Sequence, residues 1–263
     1  VRNEPYRLAA DVWGIGFKTA DTIAQAVGIP HDSPERVKAG LQYTLSEATD
    51  SGHCYLPSGA LTTEAAKILN VPADLITSCL DELVTADGAV REPVPGDGEP
   101  VDAVYLVPFH RAETSLAASL LRLLRDRADR MSQFAGDDWE RALAWLRTRT
   151  GADLAPEREQ AVRTALTAKV AVLTGGPGCG KSFTVRSIVA LAAAKNAKIT
   201  LVAPTGRAAK RLAELTGYEA ATVHRLLQLR PGGDATFDRD HPLDADLVVV
   251  DEASMLDVLL ANK

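Results

Sequence analysis

Cysteine and long apolar runs are scarce in this chain of 263 residues. The three cysteines, Cys54, Cys79 and Cys179, have the spacing of neither a metal site nor a disulfide framework. No apolar run approaches the roughly 20 residues that cross a bilayer, and residues 1–5 contain no signal-peptide core. We therefore expect a cytoplasmic protein that has no membrane partner.

An excess of positive charge is also absent. The formal net charge is −6, with 29 Lys and Arg against 35 Asp and Glu. Residues 1–150 hold 15 basic and 22 acidic side chains, whereas residues 151–263 hold 14 and 13. A general electrostatic footprint for nucleic acid is therefore missing. Any such contact has to be local, through backbone amides and a few placed cations.

A glycine-rich segment at residues 175–182 matches the phosphate-binding pattern G-x-x-x-x-G-K-[ST]. Glycines allow the backbone to curl until several N–H groups point at one phosphate. A lysine supplies charge to the β- and γ-phosphates, and a serine hydroxyl can bind Mg²⁺. The candidate nucleotide-binding residues here are Gly176, Pro177, Gly178, Cys179, Gly180, Lys181 and Ser182.

The flanks of this segment support the match. The apolar run at 169–174 predicts a buried strand, and the spacing from Ser182 to Lys195 predicts a helix. The order strand, loop, helix would place free N–H groups and a positive dipole end at the phosphates. An ordinary glycine-rich turn would require neither the lysine nor the serine.

A second apolar run, at 247–250, ends in two acidic residues. It predicts a buried parallel strand that would place Asp251 near the Mg²⁺ bound by Ser182. Glu252 could then orient or deprotonate an attacking water. A surface strand end that happens to carry two acids is the alternative.

A third strand is predicted over 199–203, and a helix follows it. Thr205 can cap that helix, whose first turns carry Arg207, Lys210 and Arg211. A helix N-terminus near cations suits a phosphodiester backbone. An ordinary strand-to-helix junction with solvated charges explains the same residues equally well.

The N-terminal residues predict two helices, over about 5–12 and from about Lys18 to just before Gly28, joined by a glycine turn. The amides at Gly14 and Gly16 could face a phosphate, and Lys18 adds a charge. Such a helix-hairpin-helix would bind the DNA backbone without regard to sequence. A plain helical hairpin is the alternative.

Residues 34–107 predict a small unit similar to a winged helix. The helix in the DNA-reading position, 73–87, contains four acids and no Lys or Arg, and these acids would repel phosphates. We therefore predict a spacer or protein-contact module. An amphipathic helix over 109–130 and another over 137–148 should connect the modules. Predicted helices of the small unit are 34–49, 59–69 and 72–86, and its extended stretches are 89–93 and 102–107.

Four strings occur in a characteristic order: LTGGPGCGKS, APTGRAAKRL, ATVHRLL and LVVVDEASMLD. Together they resemble the first motor domain of superfamily 1 helicases of the RecD-like (RecD/TraA) family. The string NEPYRLAADVWGIGFKTADTIA resembles the segment that precedes that motor. The resemblance implies that ATP and Mg²⁺ are cofactors, with Lys181, Asp251 and Glu252 catalytic and Gln160 reading adenine. The implied DNA-binding residues are Pro204, Thr205, Gly206, Thr222, His224 and Arg225, to which the charge at the helix start adds Arg207.

The resemblance implies an α/β RecA-like P-loop domain with an incomplete parallel sheet, preceded by mainly α-helical modules. It also implies a helicase of DNA repair or recombination with 5′-to-3′ polarity, acting on single-stranded DNA and duplex junctions. Without a second motor domain the chain should turn over poorly. Alternatives are a DNA-binding adaptor that senses nucleotide, or a RecD-type subunit with nuclease partners. The expected modules are 1–33, 34–108, 109–150 and 151–263.

Two features remain open on the residues alone. A lone histidine such as His224 is more often a structural residue than a ligand contact. Residues 229–245 contain a Gly232-Gly233 turn signal. In the RecD-like family an insertion here forms a pin that splits the duplex, whereas a polar loop is the simpler alternative.

Overall fold

The chain forms two compact units, which divide between Ser115 and Leu116. The structure is a computed structural model, and it describes residues 5–8, 16–136, 138–151, 153–176, 178–229, 236–238 and 240–263. The predicted first helix lies largely outside the described residues, as do Gly14, Pro177 and the Gly232-Gly233 turn. No helix in the described part of the chain is long and apolar enough to cross a membrane.

The first unit combines helices with a small antiparallel sheet. The central strand β3 pairs with β1 on one side and β2 on the other, so that Tyr105 lies opposite both Tyr55 and Val90. Its elements are α1 (Phe17–Ala26), α2 (Pro34–Asp50), β1 (Tyr55–Pro57), α3 (Ser58–Leu69), α4 (Ala73–Thr85), β2 (Val90–Val94) and β3 (Val101–Tyr105). The predicted helices and both extended stretches are confirmed. Strand β1 was not predicted, because it has three residues and ends in proline.

One apolar core joins these elements. Leu41 of α2, Leu61 of α3 and Ile76 of α4 are completely buried in it. Helix α1 contributes Phe17, whose ring stacks on Tyr43 of α2 with 5.0 Å between centroids. The described residues of the two predicted modules, 1–33 and 34–108, therefore share a single core.

A buried ion pair also fastens α1 to α2. The Arg36 guanidinium donates to both carboxylate oxygens of Asp21, at 2.8 and 3.0 Å, and the two side chains are 4% and 13% exposed. Arg36 also donates to the backbone carbonyls of His31 and Leu69. Its charge is thus compensated inside the unit, as a buried charge requires.

The acidic helix α4 is partly neutralised by neighbours. Asp81 pairs with Arg91 of β2 at 2.8 Å, and Glu82 pairs with Lys38 of α2 at 2.7 Å. These contacts occupy two of the few cations in the unit. Asp81 and Glu82 remain exposed beside these cations, and the spacer role of α4 stays a prediction.

Helix α5 (Val107–Arg125) is amphipathic, as predicted, but ends five residues earlier than the predicted limit of 130. Its apolar face is open to solvent, with Leu120 39% and Leu124 53% exposed. Helix α6 (Trp139–Thr150) contains two tryptophans, which differ in burial. Trp139 packs against the buried ring of Phe134, whereas Trp145 is 39% exposed.

The second unit is built on a three-stranded parallel sheet. Strand β4 is central, between β5 and β6, and helix α8 packs against it through Val189, which is buried in one cluster with Leu201. The described elements after α6 are α7 (Pro156–Thr167), α8 (Lys181–Ala194), β4 (Ile199–Ala203), α9 (Gly206–Thr216), β5 (Ala220–Thr222), α10 (Val223–Leu226), β6 (Leu247–Val250) and α11 (Val258–Ala261). The predicted strand 199–203 and the helices around it are confirmed.

The strand predicted over 169–174 is wrong. This segment has no regular secondary structure and belongs to neither sheet, and the Val172 side chain is 83% exposed. An apolar run becomes a strand only where a neighbour supplies backbone hydrogen bonds. Strand β6 pairs only with β4, so the described residues offer segment 169–174 no partner strand.

Candidate functional site

The glycine-rich segment ends in the first two residues of α8, Lys181 and Ser182. Gly178 and Gly180 have φ angles of 79° and 82°, a left-handed conformation that residues with a side chain seldom adopt. Among the described residues, no side chain caps α8. Its first N–H groups are therefore not occupied by a side-chain cap, and they lie beside Lys181 and the exposed Ser182. This arrangement fits an anion such as a nucleotide phosphate.

Lys181 folds back over the loop. Its ammonium group donates to the carbonyl of Gly175 and to that of Gly176, at 3.0 Å for the second. The Cys179 Sγ lies 4.0 Å from the same Nζ atom. The lysine is thus held within the loop by the carbonyls of Gly175 and Gly176.

The predicted adenine-reading residue, Gln160, points elsewhere. Its side chain is exposed and donates to Thr164 Oγ1 on the same helix, at 3.3 Å. The residue of α7 that contacts the phosphate loop is Arg158, whose Nη2 donates to the Cys179 carbonyl at 3.1 Å. Sequence reasoning missed Arg158, because a single arginine on a helix carries no distinguishing pattern.

Three strand ends meet at one edge of the sheet. In the parallel register Ala203 lies opposite Thr222, and the Asp251 amide donates to the Val202 carbonyl at 2.9 Å. Neighbouring strands are about 4.8 Å apart. The segments that follow β4, β5 and β6 therefore emerge side by side, and Thr205, Thr222 and Asp251 share this carboxyl edge.

Two of these segments start helices capped by threonine. Thr205 Oγ1 accepts from the Ala208 amide at 3.3 Å, and Thr222 Oγ1 accepts from the Arg225 amide at 3.2 Å. The cap predicted at Thr205 is confirmed. The structure thus brings together the predicted DNA-binding residues of the motor: Pro204, Thr205, Gly206, Arg207, Thr222, His224 and Arg225.

The side chains at this edge are accessible. Arg207, His224 and Arg225 are all exposed, so His224 is not the core histidine that its residue type suggests. Strand β5 was not predicted, because three residues with small side chains carry no clear period. Without β5 the closeness of residues 203 and 222 could not be foreseen.

The acidic pair directly follows β6. Glu252 has a φ of 52°, and its amide donates to Asp251 Oδ1 at 3.0 Å. This turn separates the two carboxylates, with Asp251 half-buried and Glu252 exposed. Within the described residues neither acid forms an ion pair, and no hydrogen bond joins them to Lys181 or Ser182.

In the first unit, α1 begins directly after Gly16, whose carbonyl accepts from the amides of Thr19 and Ala20. Lys18 is exposed and lies over the Tyr43 ring, 5.9 Å from its centroid. Of the predicted backbone-binding residues in this unit, Gly16 and Lys18 are thus at an accessible helix start.

Two protein families match this chain. Residues 1–55 match the ATP-dependent RecD2 DNA helicase HHH domain, and residues 158–263 match the AAA domain. These matches cover the helix-hairpin-helix segment and the phosphate-loop sheet described above.

Individual relatives extend the similarity. The ATP-dependent RecD2 DNA helicase of Deinococcus radiodurans is 36% identical over 259 residues, which cover 94% of this chain and 34% of the relative. RecBCD enzyme subunit RecD of Mycobacterium tuberculosis is 37% identical over 181 residues, 60% of this chain and 29% of the relative. The chain thus spans about a third of the length of these relatives.

The fold class follows from the same matches. A helical N-terminal region precedes an α/β domain with a parallel sheet and a phosphate loop. The chain is similar to RecD-like helicases from the helix-hairpin-helix domain through the phosphate-loop domain.

Proposed function

We propose that this chain is the nucleotide-binding part of an ATP-driven DNA helicase. The observation that supports this best is the shared carboxyl edge of the sheet. There the acidic pair after β6 lies beside the two threonine-capped helix starts after β4 and β5. When a nucleotide site and a DNA site lie on neighbouring strand ends, a small conformational change at one can be transmitted to the other. A motor requires such coupling.

The phosphate loop binds ATP in this proposal. The amides that start α8 bind the β-phosphate, and Lys181 leaves the carbonyls of Gly175 and Gly176 to reach the β- and γ-phosphates. Ser182 and Asp251 would hold Mg²⁺, which neutralises charge on the phosphates when bound. Glu252 would orient the attacking water and accept its proton.

DNA lies along the other strand ends. The helix starts at Gly206 and Val223 present amides and dipoles to phosphates, and Arg207 and Arg225 add charge. The amide at Gly16 and the Lys18 ammonium would bind the backbone of the duplex or of the displaced strand. All of these contacts are independent of base sequence.

The substrate and the partners follow the RecD-like relatives. We expect 5′-to-3′ movement on single-stranded DNA and unwinding at duplex junctions during repair or recombination. A duplex with a 5′ tail should then be unwound and one with a 3′ tail should not. The relatives named as RecD subunits make a nuclease partner a second proposal. The match of residues 1–55 to the RecD2 domain favours the helicase without that partner.

The test is hydrolysis by the Glu252→Gln variant of the full-length protein that carries this sequence. We expect hydrolysis to fall at least a hundredfold, since a general base contributes about 10²–10⁴-fold, while ATP and DNA still bind. Asp257→Asn is the matched control, because this exposed acid caps the Leu260 amide and asparagine can replace it. Unchanged hydrolysis in Glu252→Gln would contradict the assignment.

A further inference from the structure

The phosphate loop is held from outside by a residue of another helix. Arg158, in the first turn of α7, donates from Nη2 to the Cys179 carbonyl at 3.1 Å. Its guanidinium also lies against Gly180, so closely that a Cβ atom there would be 2.6 Å from Arg158 Cζ. The two residues thus fit each other: the glycine leaves room for the arginine.

Helix geometry excludes Gln160 from the same role. Successive residues of an α-helix are about 100° apart around its axis, so residues two positions apart lie on nearly opposite faces. Arg158 shares its face with Val162, which is completely buried. Gln160 shares the exposed face with Thr164, to which it is hydrogen-bonded.

The loop carbonyls are divided between two cations. Lys181 takes the carbonyls of Gly175 and Gly176 on the inside of the loop, and Arg158 takes that of Cys179 from α7. When a nucleotide draws Lys181 toward its phosphates, the contact of Arg158 with Cys179 does not have to break. The Arg158 contact would then hold the Cys179–Gly180 peptide with its carbonyl directed at α7.

We infer that Arg158 is a positioning residue of the phosphate loop. This inference rests on the proposed binding of nucleotide at the loop. Arg158 acts through the Cys179–Gly180 peptide, which all nucleotides share, and not through the base or the γ-phosphate. Loss of Arg158 should therefore weaken the binding of ATP, GTP and ADP by the same factor.

The experiment measures equilibrium binding of fluorescent ATP, GTP and ADP analogues to this 263-residue chain. Arg158→Met keeps most of the side-chain stem and removes the donor. We expect the Kd for each nucleotide to rise about tenfold, which is the loss of affinity expected when one hydrogen bond from a charged group is removed. Arg158→Lys should restore most of the affinity, since an ammonium group can reach the same carbonyl.

Thr167→Ala is the matched control, an exposed residue in the last turn of α7, and its three Kd values should equal those of the wild type. The urea unfolding midpoint of each variant separates positioning from stability, because a merely structural arginine would lower the midpoint with the affinity. Unchanged binding in Arg158→Met would overturn the inference, as would a loss confined to ATP. Failure of the wild type to bind any nucleotide would instead contradict the proposed function.

Discussion

Single residues in this molecule differ most in how completely their charge is compensated. Asp21 is the clearest case, since it is 13% exposed and faces the nearly buried Arg36. Burial raises the pKa of Asp21, but hydrogen bonds from Arg36 and Tyr6 outweigh it and hold the pKa below its usual range. The ionised form is therefore the one that stabilises the first unit.

Replacing Asp21 with asparagine should destabilise the first unit by about 3 kcal/mol at pH 7, because the Arg36 charge stays buried without its partner. A carboxylate whose folded pKa is depressed contributes stability above its unfolded pKa, and this stability is lost as the pH falls through the folded value. The difference between wild type and Asp21→Asn should thus shrink below about pH 4.

Urea unfolding followed by circular dichroism at pH 7 and at pH 3 measures both effects. Glu64→Gln is the control, since it breaks an exposed pair with Lys67 that should contribute less than about 1 kcal/mol. Equal losses in the two variants at pH 7 would mean that the Asp21 pair is no stronger than a surface pair.

The three cysteines should differ in reactivity. Burial, then the neighbouring Glu113, raises the pKa of Cys54, and burial, then Glu82, raises that of Cys79. Because the thiolate is the nucleophile, both should react slowly with maleimide, whereas Cys179 is exposed in the phosphate loop.

Peptide mass spectrometry after timed alkylation measures each rate. We expect Cys179 to be modified first, and bound ATP with Mg²⁺ to slow its modification severalfold. In the Lys181→Ala variant ATP should no longer protect. Equal Cys179 rates with and without nucleotide in the wild type would contradict its place in the nucleotide site.

Among the helices, α4 and α9 each have one exposed face, and these two faces carry opposite charge. Helix α4 has acids paired with Lys38 and Arg91. Helix α9 begins at the shared carboxyl edge and carries Arg207, Lys210 and Arg211 on its surface. Only α9 has the charge that a phosphodiester backbone attracts.

A photo-crosslinking side chain at the exposed position of Lys210 should therefore capture single-stranded DNA. The same side chain at the exposed position of Thr77 on α4 should not. Gel analysis of the crosslinked products in the full-length protein measures both. Crosslinks at Thr77 as strong as those at Lys210 would make α4 a DNA-binding helix and overturn its assignment as a spacer.

Long or strongly patterned elements could be predicted from the sequence. Strand β4 lies where its apolar run predicts it, and Thr205 caps α9 as its residue type suggests. The short strands β1 and β5 could not be predicted, because each depends on a partner distant in the chain. The strand predicted over 169–174 is wrong because, although its residues favour a strand, the described sheet offers it no neighbouring strand.

For the molecule as a whole, the motifs predict the kind of site better than the contacts between the elements that form it. The loop, the acidic pair and the capped helix starts come from local patterns, and the parallel sheet brings two of these features to one edge. The contact of Arg158 with the loop depends on how two helices pack, which no local pattern encodes. We therefore expect ATP at the loop to drive movement on DNA at that edge.

The Lys181→Ala variant of the full-length protein tests this claim most directly. Unwinding of a 5′-tailed duplex and binding to single-stranded DNA are measured on the same preparation. We expect unwinding to be lost, because the phosphates lose their lysine, while DNA affinity stays within about twofold of the wild type. Unwinding at the wild-type rate would mean that the phosphate loop does not drive the motor.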